Sequence, residues 1–166
     1  KGLVKIIRRP TGGGAVLHSG GITYAITFKK PVYKKLSYKI INDWLMMSLS
    51  KLGLNLHYGK FKKTIIKENC FGTSYISDLI DQNGHKRVGS AQYWRKGSFL
   101  QHGEIQLKPD KDLWVKVFKE PPPPTINLNL RDDEIIEYLR RSFLKTFSDS
   151  SVKNIYLDYK DIKEEL

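Results

Sequence analysis

Hydrophobic and polar positions change period several times along the 166 residues, and each change predicts an element. Ile22–Phe28, ITYAITF, is a β-branched and aromatic run of strand length that Pro31 closes. Between Leu36 and Leu52 the apolar residues Ile40, Ile41, Trp44, Leu45 and Leu52 recur at helical spacing, with Gly53 just past them as a stop signal. That predicts a core-facing helix in which Trp44, Met46 and Met47 serve packing. Two strands are expected around the hairpin signal Asn83-Gly84, and a third over Ser98–Leu107 after a turn at Lys96-Gly97. Asp112–Phe118 reads as a short helix, and Pro121–Pro124 as a stiff, extended surface connector. Asp133–Phe147 predicts an amphipathic helix with Ile135, Ile136, Leu139, Phe143 and Phe147 inward, and a last helix begins at Tyr156. Near the start, Leu3–Ile7 and Ala15–Leu17 read as short strands.

These elements predict the α+β class, a mostly antiparallel mixed sheet with helices packed on it, and one domain over residues 1–166. The chain opens on Lys1 within a strand pattern, as expected of a fragment whose N-terminal segment is missing and whose activity alone is then in question.

Charge changes the picture more than composition does. A net charge of +12 predicts attraction to something acidic: nucleic acid, an anionic membrane or an acidic protein. The lysines are scattered apart from Lys60, Lys62 and Lys63 and the pairs Lys29–Lys30 and Lys34–Lys35, a pattern that also fits a merely solvated surface. The aromatic residues follow core patterns and are not interleaved with lysines, which leaves a nucleic-acid-binding module as a remote alternative. The apolar stretches are too short to span a membrane, and no secretory signal opens the chain. A single cysteine excludes an intrachain disulfide and fits a reducing compartment, so a cytoplasmic location is expected. Cys, His and carboxylate spacing predicts no metal site.

Candidate chemistry starts at RRPTGGGAVLHSGG, Arg8 to Gly21. Consecutive glycines cost conformational entropy, so they mark either a tight turn or a backbone that approaches a ligand closely. The neighbouring arginines suggest an anion or a carbonyl-rich group. Small residues gather again at Gly72, Ser74, Ser77, Gly89, Ser90 and Ala91, leaving room on one side of a sheet. His102 and Gly103 lie in the next strand, although a lone histidine there, like His18, His57 or His85, is more often structural. Cys70 sits among polar neighbours in ENCFGTS, which leans towards exposure; reactivity would require a nearby cation to lower its pKa.

Four segments in order, RRPTGGGAVLH, CFGTSYISDL, GHKRVGSAQYWRKG and LQHGEI, resemble the lipoate/biotin protein ligase catalytic-domain family. The similarity runs from about Leu3 to Leu107 and is nearest to the cysteine-dependent octanoyltransferases and the lipoate-protein ligase A-like proteins. The resemblance implies that the loop at Gly12, Gly13, Gly14 and Ala15 closes over the acyl chain and its carbonyl. Arg8, Arg9 and His18 would support or contact the substrate. Gly89, Ser90, Ala91 and Gln92 would line an acyl tunnel, with His102 and Gly103 beside it. The family's thiol maps to Cys70 and its motif lysine to Lys86.

The implied reaction is attack of the Cys70 thiolate on an octanoyl or lipoyl thioester of acyl carrier protein, followed by transfer to a lysine of an acidic lipoyl domain. Lys86 would stabilise the thiolate and backbone N–H groups the oxyanion. That reading needs no cofactor. The alternative is a lipoate-protein ligase that uses ATP and magnesium, with Lys86 holding the acyl-adenylate; biotin is a weaker third substrate. Gly14 is intact, as in ligases, where octanoyltransferases often interrupt the third glycine, and Ser19 replaces the usual acidic residue after the motif histidine. An ideal hairpin on Asn83-Gly84 would put Cys70 roughly 35 Å from Lys86 at about 3.3 Å per residue, so pairing them requires NCFGTSY to fold back as a loop.

Overall fold

The computed structural model describes residues 4–29, 34–59 and 77–147, with the side chains of Lys34 and Lys35 excepted. Cys70, the Lys60–Lys63 cluster and the helix expected from Tyr156 lie outside the described residues.

The β-branched run forms β1, Gly21–Phe28. The helical pattern forms α1, Lys34–Lys51, followed by two short strands, β2 at His57–Tyr58 and β3 at Leu79–Ile80. Two long strands, β4 over Lys86–Arg95 and β5 over Ser98–Gln106, precede the helices α2, Lys111–Phe118, and α3, Asp132–Phe147. The sheet order is β1-β5-β4-β3-β2 and every pairing is antiparallel.

Residue chemistry sets the ends of these elements. Gly53, at φ 91°, stops α1, and Leu54 N–H closes back on Leu49 C=O. Asp110 caps α2 by accepting from Leu113 N–H. Glu134 reaches back to Arg131 N–H at the start of α3. The two turns exchange their expected roles. Lys96 and Gly97, both at positive φ, make the two-residue hairpin turn between the paired Arg95 and Ser98. At Asn83-Gly84 the loop is longer, residues 81–85 between the paired Ile80 and Lys86, because the Asp81 carboxylate accepts from both Asn83 N–H and His85 N–H and shapes the turn around itself.

The main core lies between one face of the sheet and the helices α1 and α3. It includes Ile41, Trp44, Leu45 and Leu49 of α1, Val88 and Ile105 of the sheet, and Ile135 and Leu139 of α3. A smaller core on the other side joins Leu17 to Trp114 of α2. The proline connector is extended, and its Pro124 carbonyl accepts from buried Arg87.

Several expectations are corrected. Residues 4–7 form no strand and Ile6 and Ile7 are exposed, since no strand among the described residues pairs their backbone. Ala15–Leu17 is reduced to a single bridge at Ala15. Ile40, Met47 and Ile136 face outwards, each beside a residue that takes the inward position. Among the described residues no helix is long and apolar enough to cross a membrane.

Candidate functional site

Because β-strand side chains alternate, the β4–β5 register sorts the candidate residues onto two faces. Gly89 pairs with Glu104, Ser90 with Gly103, Ala91 with His102 and Gln92 with Gln101. The strands therefore do bring Gly89–Gln92 beside His102 and Gly103. They also divide them: Ser90, Gln92 and Gly103 belong to the face covered by α1, and Ala91 and His102 to the face crossed by the glycine segment.

On the helix face the polar groups form one continuous network. Tyr24 hydroxyl meets Ser90 Oγ at 2.7 Å and accepts from Gln101 Nε2 at 3.1 Å. Gln92 Nε2 donates to Gln101 Oε1, while Gln92 Oε1 accepts from Ser37 of α1 and from Trp94 Nε1. Asn42 of α1 donates to Ser77 C=O. Burial pushes the Tyr24 phenol up to about 12, so it remains a neutral donor. Gly103 is needed here: a Cβ would stand 2.4 Å from Gly89 C=O and 2.9 Å from the Tyr24 ring. The room that small residues were expected to leave at this point is filled by Tyr24.

Lys86 lies on the same face, 3% exposed, with Nζ 2.9 Å from Asp78 Oδ2. Its neighbour Arg87 points the other way and is held by Asp81 Oδ2 at 2.7 Å.

The glycine segment crosses the opposite face. Arg9 Nη2 donates to Gly12 C=O at 3.0 Å and Gly14 C=O at 2.8 Å, so the guanidinium clamps its own loop. Gly13 takes φ 102°, a conformation open to glycine at little cost. Arg8, Gly12, Gly13 and Ala15 are exposed. Thr11 Oγ1 meets His102 Nε2 at 2.7 Å, and His18 Nδ1 lies 2.5 Å from Glu104 Oε2. These two contacts fasten the segment to β5, and Leu17 on Trp114 fastens it to α2.

Electrostatics distinguish this face. Burial, then the Arg9 charge, lowers the pKa of both His18 and His102, with a further contribution from His18 at His102. Burial alone pushes the Glu104 carboxyl up to about 7. Neither Glu104 oxygen has a hydrogen-bond partner, and Gln106 Oε1 and Arg9 Nε lack one too. The His18 contact therefore has ion-pair distance without hydrogen-bond alignment.

Glu104, Asp78, Tyr24, Gln101 and Thr11 were missed by sequence reasoning. A carboxylate inside a strand, in HGEIQ, was the available signal for Glu104; the others look like ordinary strand, helix or turn residues. An apolar groove of about 490 Å³ runs along β1 beneath α3, lined by Ile22, Tyr24, Ile26, Trp44, Leu139 and Phe143 among others, and it contains none of the predicted site residues. Among the described residues no group of three or more His, Cys, Asp or Glu side chains is placed to hold a metal ion.

Comparison with known proteins assigns the chain. The model of the lipoyl protein ligase A/B catalytic domain matches residues 1–132. Octanoyltransferase LipM of Kyrpidia tusciae is 31% identical over 149 residues, covering 82% of this chain and 50% of its own length. The chain thus spans about half the length of the curated relatives it matches. Among solved structures, lipoate-protein ligase A bound with ATP superposes with a TM-score of 0.65 at 24% identity, covering 88% of this chain and 62% of that one. A bipartite lipoate protein ligase from Thermoplasma acidophilum, studied with its E2 lipoyl domain, superposes at 0.67 with 23% identity, covering 94% and 62%. The two structures share the fold seen here, and the family model and LipM place the chain in the lipoyl protein ligase A/B catalytic-domain family.

Proposed function

We propose that this protein moves an octanoyl or lipoyl group through a thioester at Cys70 to a lysine of an acidic carrier domain. The observation that carries the reading is the 31% identity to an octanoyltransferase across most of the chain, in a sequence with one thiol. Cys70 attacks the donor thioester, the carrier thiol leaves, and the acceptor amine then displaces Cys70 to form the amide. Lys86, held by Asp78, supplies positive charge for these steps. The Arg9-clamped glycine loop presents backbone N–H groups to the carbonyl oxygen, and residues Gly89–Gln92 flank the chain. Acyl carrier protein is the donor and a lipoyl domain the acceptor in this reading. Residues 1–166 act as one catalytic domain in this reading.

The intact Gly14 favours a second reading, ATP-dependent ligation, in which Lys86 holds an acyl-adenylate and Cys70 is dispensable. Intact-mass measurement separates the two. Incubation with octanoyl-carrier protein without ATP should add one acyl group to wild type and none to Cys70→Ala. Equal lipoyl transfer by Cys70→Ala, dependent on ATP, would establish the ligase instead.

A further inference from the structure

The glycine face holds a pair that the proposed reaction has not used. Glu104 sits on β5 with its side chain 1% exposed, while His18, which touches it through Nδ1, is 62% exposed. A buried acid behind an exposed imidazole fixes which ring nitrogen faces outwards. A purely structural carboxylate in this position would be matched by donors, yet neither oxygen has a hydrogen-bond partner and only the His18 ring stands at ion-pair distance.

We propose that Glu104 is a positioning residue that orients His18 so that its Nε2 takes the proton from the acceptor amine during acyl transfer. The inference rests on the acyl-transfer reading above. In the step, the amine nitrogen forms a bond to the acyl carbon and the bond from that carbon to its leaving group breaks. The leaving group keeps the electron pair. The amine proton moves to Nε2 and from there to the leaving group or water, and Glu104 keeps its own protonation state throughout.

The groups facing Glu104 define its titration. His18 approaches from the glycine segment, with Arg9 acting on His18 and His102 but not on Glu104 itself; His102 lies on its own strand, and Arg87 on β4 is already bound to Asp81 and Pro124. Gly21 and Thr23 of β1 add no charge. With the carboxyl pushed up to about 7, the pair has two forms. Below that pH Glu104 is protonated, the charge that holds a proton on Nδ1 is gone, and with Nε2 carrying the ring proton it cannot act as a base. Above it the carboxylate charge beside Nδ1 favours the ring proton there and leaves the Nε2 lone pair open.

Two measurements on the full chain test this. Nitrogen NMR of His18 should show the tautomer change through a pH of about 7 in wild type and its loss in Glu104→Gln. Amide formation from acyl-loaded enzyme to a lipoyl domain should rise with pH through the same range. It should fall on the order of 100-fold in both Glu104→Gln and His18→Gln, and no further when they are combined. A wild-type pH profile and transfer rate in Glu104→Gln would overturn the proposal, as would a His18 tautomer indifferent to pH. Should wild type show the tautomer change but transfer no acyl group to a lipoyl domain under any donor condition, the acyl-transfer reading fails and takes the role in proton transfer with it. Should acyl transfer proceed normally while the tautomer stays fixed, only the Glu104–His18 inference fails.

Discussion

On the face packed by α1, Tyr24, Ser90, Gln92, Gln101 and Ser37 exchange hydrogen bonds until their buried polar atoms are matched. On the face crossed by the glycine segment, Glu104, Gln106 and Arg9 keep buried polar atoms without partners. Both faces belong to the same two strands, so the contrast comes from what packs on them. A matched network contributes to stability and specifies one packing arrangement. An unmatched one lowers stability, and its groups remain available to a ligand. The first is framework and the second is candidate machinery, although the motif residues are distributed over both.

Lys86 is the sharpest challenge to that division, because a proposed working residue lies in the framework face. Lys86→Met should abolish acyl transfer. It should also lower unfolding free energy by about 3–5 kcal/mol, since it deprives the buried Asp78 carboxylate of its cation. Burial against Asp78 is what joins the loss of stability to the loss of activity. Adding Asp78→Leu should restore most of the stability in urea unfolding and none of the activity. A stable, active Lys86→Met would remove the residue from the machinery.

Glu104 offers the opposite sign. Its carboxyl titrates at about 7 in the folded chain against an ordinary 4.5, so between those values the native state binds more protons and stability falls as pH rises. Glu104→Gln should therefore stabilise the protein by about 2–3 kcal/mol above pH ~7.5 and change little below pH ~4.5. Urea titrations at both ends check the difference. A variant destabilised at high pH would mean that the carboxylate is matched after all.

Tyr24→Phe should cost about 1–2 kcal/mol at every pH below the tyrosine range, because Gln101 Nε2 and Ser90 Oγ lose a shared partner. The pH dependence of activity should not move. A shift in that profile would carry the machinery through the sheet to the helix face.

The smallest effect concerns charge. The glycine segment rests on α2, whose Lys111 and Lys116 are exposed, whereas exposed Lys145 lies on α3 across the sheet. Replacing Lys111 and Lys116 by glutamate should lower the transfer rate at low carrier concentration several-fold at low salt, and Lys145→Glu should leave it nearly unchanged. The difference should shrink as salt screens it over about 8 Å at physiological strength. Equal effects at the two positions would show that the +12 net charge steers without regard to face.

Local pattern determined much of the fold. The ITYAITF run, the apolar spacing of α1 and α3 and the Gly53 stop act through near neighbours, so they can be read without knowing what packs on them. The glycine motif was legible as a loop for the same reason: Arg9 closes on carbonyls only three and five residues away. Residues 4–7 form no strand because a strand depends on a partner distant in the chain. The Asn83-Gly84 turn departs from its ideal because Asp81 has a ligand of its own in Arg87, within reach only once the hairpin exists.

The candidate residues were legible as motif members, but their arrangement was not. Alternation along a strand is a local rule, yet which face meets α1 and which meets the glycine segment depends on the sheet register and on contacts across more than sixty residues, such as Thr11 with His102. Burial belongs to the same class. Nothing in HGEIQ says that Glu104 loses its water, and nothing in GHKRVG says that Lys86 turns inward to Asp78. Only the tertiary structure decided these, because desolvation and charge pairing depend on what surrounds a side chain in space.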